Sequence, residues 1–180
     1  MTDNPEDVVT FWREAGPEKW FKNDEAFDVE IADRFSALHR AAAQGDHDAW
    51  AESGDGALAL ILVLDQFSRN LHRGSSLTFA SDPKALQIAE TALARGDDHA
   101  VSKDLQIFFY MPFEHSECLA DQRTAIRLTH AMQNAHYMKY AHTHHDVIRR
   151  FGRFPHRNAV LSRHTTAAEK VFLWAGGFSA

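Results

Sequence analysis

Three features of the chain predict an all-α fold. Apolar residues recur at helical spacing through its long segments, helix caps punctuate those segments, and no stretch shows two-residue alternation bounded by hairpin turns. At 180 residues the expected architecture is one domain over 1–180. It is a single bundle of about 8–9 antiparallel helices stacked as irregular helical hairpins.

Asn4 caps a first helix with Pro5 at its first position; Val8, Phe11 and Trp12 form its apolar stripe, and Gly16-Pro17 ends it. Phe27, Ile31, Phe35, Leu38 and Ala42 place a long helix from about Asp24 to Gln44, closed by Gly45. Asp46 is expected to cap a short helix through Trp50. Asp55 is expected to open the most apolar one, Ala57 to Leu64, which continues through Asn70. Asp82-Pro83 starts a helix carrying Leu86, Ala89, Ala92 and Leu93, ended by Gly96. Next comes Ser102 to Tyr110, stopped by Pro112, then Ser116 to about Gln133 with Ser116 as cap, then Ala135 to Phe151. Thr166-Ala167-Ala168-Glu169 is a capping box that announces the last helix. The expected core is Leu58–Leu64 with Phe35, Leu38, Leu86, Leu93, Phe108 and Leu128. Segments 41–49 and 92–100 echo one another, but a single echo does not make a regular repeat array.

Composition bounds the function. The apolar run Ala57–Leu64 is far too short for a bilayer, which needs about 20 residues. Cys118 is the only cysteine, and the start, Met1 to Asp7, is acidic without the apolar core of a signal peptide, so a cytoplasmic location is expected. The net charge of −6 argues against nucleic acid, even with Phe151 and Phe154 interleaved among arginines. The charge is uneven: residues 1–100 carry 9 Lys/Arg against 19 Asp/Glu, whereas 101–180 carry 10 against 6, with eight of the twelve histidines. His136, His142, His144, His145 and Asp146 hint at a metal, but no HExxH or paired ExxH accompanies them, so neither a metal nor a cofactor is expected.

Three segments concentrate polar chemistry. In Asp65-Gln66-Phe67-Ser68-Arg69-Asn70 the pairs 65/69 and 66/70 stand one helical turn apart at the end of a core helix. Tyr110 to Glu117 brings His115 and Glu117 to a helix start. Arg149 to Asn158 packs four arginines (149, 150, 153, 157) into nine residues without an acid, around a turn set by Gly152 and Pro155.

Those three segments, in order, resemble an uncharacterised and mainly bacterial family, domain of unknown function 924. The resemblance runs from Phe11-Trp12 to Thr165-Thr166 and Glu169. It implies a tetratricopeptide-like helical fold, with no established activity. The positions it marks are Asp65, Gln66, Arg69, Asn70, His115, Ser116, Glu117, Gln122, His145, Arg153, His156, Arg157, Asn158 and Arg163. Ser68 and Glu114 depart from the family's usual proline and apolar residue.

Three functions are open at this stage. The first is a small-molecule site, binding or catalytic, for an anionic ligand. There Arg69, Arg153 and Arg157 hold the anion, His115, His145 or His156 moves a proton, and Glu117 or Asp65 orients the imidazole. Gln66, Asn70, Gln122, Asn158 and Arg163 complete the lining. The second is a helical-hairpin scaffold for a peptide or protein partner. The third is a buried ion network that only braces the helices.

Overall fold

The computed structural model describes residues 4–178; Met1-Thr2-Asp3, part of the acidic start considered above, lie outside them. The described residues contain ten α-helical segments and no strand. They fall into two compact units, one ending at Pro112 and one beginning at Phe113. No helix among them is long and apolar enough to cross a membrane.

Unit one holds α1 (Pro5–Ala15), α2 (Pro17–Trp20), α3 (Glu25–Gln44), α4 (Gly54–Ile61), α5 (Ser68–Leu71) and α6 (Asp82–Arg95), and most of α7 (Lys103–His115). The caps sit where side-chain chemistry requires them. Asn4 accepts from Asp7 N, Asp24 accepts from Phe27 N, and Gly45 and Gly96 close α3 and α6 in the left-handed conformation. Two expected caps are displaced. The short turn at Asp48–Glu52 follows His47 without a side-chain cap, and Ser53, not Asp55, caps α4 through the Gly56 N–H. Gly56 is obligatory, since a Cβ there would lie 2.0 Å from the Trp50 carbonyl oxygen.

From Gly56 onward helix α4 is buried on every side, and it passes without interruption into a π-helical stretch, Leu62–Phe67, and then α5. Phe11, Trp12, Trp20, Phe27, Phe35, Phe67 and Phe108 form a continuous cluster of rings around this rod. Leu86 and Leu93 are only half-buried; Ala85, Ile88, Ala89 and Ala92 take the core face of α6. The inward stripe is therefore rotated towards small residues, which let α6 approach the rod closely.

Unit two consists of the end of α7, α8 (Leu119–Ala131), α9 (Ala135–Phe151), a single turn at Pro155–Arg157 and α10 (Ala167–Trp174). Its core is Val147, Ile148 and Phe154, flanked by Leu119, Phe151, Phe172 and Phe178, while Leu128 is half-buried. Asn134 caps α9, and Thr166 and Glu169 make the expected reciprocal box on α10.

Two expectations fail in the segment 110–119. Pro112 does not stop α7, which runs three residues further to His115. Proline has no N–H to donate to the preceding turn. The carbonyls of the final turn are served instead by Gln122, whose Nε2 donates to the oxygens of Phe113 (3.3 Å), Glu114 (2.6 Å) and Ser116 (2.7 Å). Ser116 does not cap α8 either. Its hydroxyl accepts the Cys118 N–H and donates to Asp121 at 2.6 Å, and α8 begins after Cys118 with no side-chain cap.

Candidate functional site

Each unit contains one dense polar centre, and the two are built on different principles.

In unit one the apolar rod ends in Asp65, which is fully buried. Burying a carboxylate is costly unless it is paired, and here Arg69 stands one turn on with Nη1 3.2 Å from Asp65 Oδ1 and 2.6 Å from the Asp65 carbonyl oxygen. The same guanidinium grips Asp82 with two bonds of 3.0 and 3.1 Å. Gln66 and Asn70 do not pair with each other, because the π-helical turn changes the local register. Gln66 donates to Asp65 at 2.5 Å and meets the Met111 sulfur at 3.5 Å. Asn70 donates to Asp28, which Arg73 also holds with two 2.9 Å bonds. Ser68 and Ser81 donate to the carbonyls of Thr78 and Leu64. Every named side chain of this network has a partner.

In unit two Arg163 clamps Glu117 with bonds of 2.7 and 3.0 Å, and the Phe154 N–H adds a third at 2.8 Å. Burial alone would raise the Glu117 pKa, but these bonds, with Arg157 nearby, leave it below the ordinary carboxylate value. Arg153 clamps Glu169 at 2.6 and 2.9 Å. Its hydrogen bonds, aided by Thr166, hold Glu169 down at about 2.

These two pairs fix the turn that carries Phe154, His156, Arg157 and Asn158. Phe154 is fully buried, and the Arg157 guanidinium, itself buried, stacks on its ring at 4.5 Å. The His144 and His156 rings lie 5.6 Å from the same phenyl, and His115 is 6.3 Å from His144. Burial, reinforced by His115, Arg157 and His156, lowers the His144 pKa to about 3. Burial and then Arg157 lower His156 to about 4. Both rings are therefore neutral at pH 7, and the 3.6 Å separation between His144 Nδ1 and Glu114 is not an ion pair there. His144 Nδ1 faces two acceptors, Glu114 and the Tyr140 carbonyl at 2.8 Å, so it bears the proton and Nε2 carries the lone pair.

His144 is a buried histidine of this cluster, and the motifs do not mark it. It lies on the buried stripe of α9 with Ala141, Val147 and Ile148, and this helical phase was the available signal. The expected His145 is one residue round the helix, its Nδ1 3.5 Å from Asp146. His142 bonds His130 at 3.0 Å through the two Nε2 atoms. Among the described residues no three His, Cys, Asp or Glu side chains gather as a metal would require.

The buried side-chain atoms without a hydrogen-bond partner in unit two include Gln122 Oε1, His156 Nδ1, Asn158 Oδ1 and Arg163 Nε. All but Gln122 belong to the third motif or its continuation. The motif residues thus divide into braces and an unsaturated cluster.

A family model for bacterial proteins of unknown function, DUF924, matches residues 8–177. The chain belongs to this family. A solved structure of a protein of unknown function from Agrobacterium tumefaciens is 47% identical, covers 96% of this chain and 97% of its own, and superposes with a TM-score of 0.93. No curated protein matches.

Proposed function

We propose that the cluster around Phe154 in unit two is a binding site for a small organic anion. The observation that carries it is the set of buried polar atoms without partners. A side-chain network kept only to brace helices saturates its hydrogen bonds, because each unmet buried group costs about 1–3 kcal/mol; the Asp65–Arg69–Asp82 network is saturated in this way.

In this proposal Arg157 supplies the positive charge and the neutral imidazoles of His144 and His156, with His115, supply bases. Asn158 and Gln122 line the site. Glu117 with Arg163, and Arg153 with Glu169, hold the turn in place without touching the ligand. For Asp65, Gln66, Arg69 and Asn70 the bracing role is favoured by their complete pairing. A cytoplasmic location accords with Cys118, an exposed free thiol.

The test is a thermal-unfolding screen of the full chain at pH 7 against small mono-, di- and tricarboxylates and inorganic phosphate. A ligand of the folded state raises stability by about 2.7 kcal/mol at 100 times its Kd. At least one anion should stabilise the wild type and leave Arg157→Gln unmoved. If no anion shifts the transition, the proposal fails.

A further inference from the structure

The unpartnered atoms of unit two also have a polarity, and it constrains what binds. Gln122 donates through Nε2 to three carbonyls, which fixes the orientation of its amide: the unpartnered atom is the oxygen, an acceptor. The neutral His156 ring carries one lone pair, and its Nδ1 is buried without a partner beside the Arg157 charge, which favours the lone pair there over an N–H. Asn158 directs Nδ2 towards Thr165 at 3.4 Å, and its unpartnered atom is again the oxygen. Gln122 and Asn158 are 0% and 1% exposed, so bulk water does not serve them. Three buried acceptors of unit two therefore lack donors, two of them on the turn that also carries Arg157.

A bare carboxylate or a phosphate dianion is acceptor-only. It brings no donor and would leave all three acceptors unmet, at about 1–3 kcal/mol each. We infer that the ligand of this site is an acid that also carries N–H or O–H donors, in the manner of an amino or hydroxy acid, and that His156 Nδ1, Gln122 Oε1 and Asn158 Oδ1 receive those donors. This inference rests on the anion site proposed above. Sites built to bond a donor reject the analogue that lacks it far more strongly than apolar pockets reject a missing methylene.

Matched pairs of acids provide the test: lactate against propionate and malate against succinate, which differ in one hydroxyl donor, and alanine against propionate, which differ in an ammonium donor and its charge. Each is titrated calorimetrically into the full chain at pH 7. In at least one pair the donor-bearing member should bind about tenfold or more tightly. That advantage should shrink to about threefold or less in Asn158→Leu, which removes one acceptor at similar volume. Equal affinities within every pair would overturn the donor inference while leaving the anion site standing. No binding of any member up to about 10 mM would overturn both. An undiminished advantage in both Asn158→Leu and His156→Phe would place the donors elsewhere and also overturn the inference.

Discussion

The polar centres of the two units contain similar residue types and reach opposite ends of the hydrogen-bond ledger. Around Asp65 two guanidiniums, two amides and three carboxylates are matched, and the hydroxyls of Ser68 and Ser81 are directed to carbonyls. Around Phe154 the two carboxylates are held by Arg163 and Arg153, two imidazoles stay neutral, and buried atoms of Gln122, His156, Asn158 and Arg163 remain unmet. Unit one has unmet atoms too, Trp12 Nε1 and His39 Nε2, but neither belongs to the Asp65 network. An arginine-rich motif alone does not distinguish brace from site; the completeness of its pairing does.

The contrast predicts a graded set of responses. Arg69→Ala strips a fully buried carboxylate of its guanidinium and should cost about 3–5 kcal/mol in urea unfolding; a loss below about 1 kcal/mol would show that this centre is not a brace. Arg163→Ala removes a half-buried bidentate clamp and should cost about 1.5–3 kcal/mol, with no loss if the Phe154 turn holds itself.

Acid should act next. His144 and His156 have folded pKa values below the ordinary imidazole value of 6.5, so the folded state binds fewer protons than the unfolded. Their contribution is intact above about 6.5 and is lost as pH falls through about 4 and then 3. A loss on the order of 2 kcal/mol is expected across that window, and His156→Phe should flatten its upper part. Unchanged curvature in that variant would place the acid sensitivity elsewhere, His39 being the alternative in unit one. Glu169 extends the same sign lower: its stabilisation is present above about 4.5 and fades as pH falls towards about 2.

The smallest effect is expected for Asn158→Leu, within about 1 kcal/mol of wild type or stabilising, because the substitution removes an unmet acceptor. A loss of about 3 kcal/mol would instead mark Asn158 as part of a brace.

Much of the helical layout was legible because caps are local. Asn4, Asp24, Gly45, Gly96 and the Thr166–Glu169 box act on backbone within four residues, so the chain itself states them. The continuation of α7 past Pro112 was not legible, because the groups serving its last carbonyls come from Gln122 in the following helix. The π-helical stretch was equally hidden, and with it the partners of Gln66 and Asn70. Motif reading singled out His115, His145, His156 and Arg157; the ring of α9 that is buried beside Phe154 is His144, since adjacent residues on a helix differ by about 100° in direction. Whether an arginine clamps a carboxylate inside the fold is a matter of tertiary distance, and no spacing rule supplies it.

Gln122 links two jobs in one planar group. Its nitrogen holds the frayed end of α7 and its oxygen is unmet. An amide is a conjugated dipole, so a bond accepted at the oxygen draws electrons and strengthens the N–H donors on the other side by about 10–30%. A donor arriving at Oε1 would therefore tighten the carbonyls of Phe113, Glu114 and Ser116 without any atom moving far, which makes the amide a relay between occupancy and helix order.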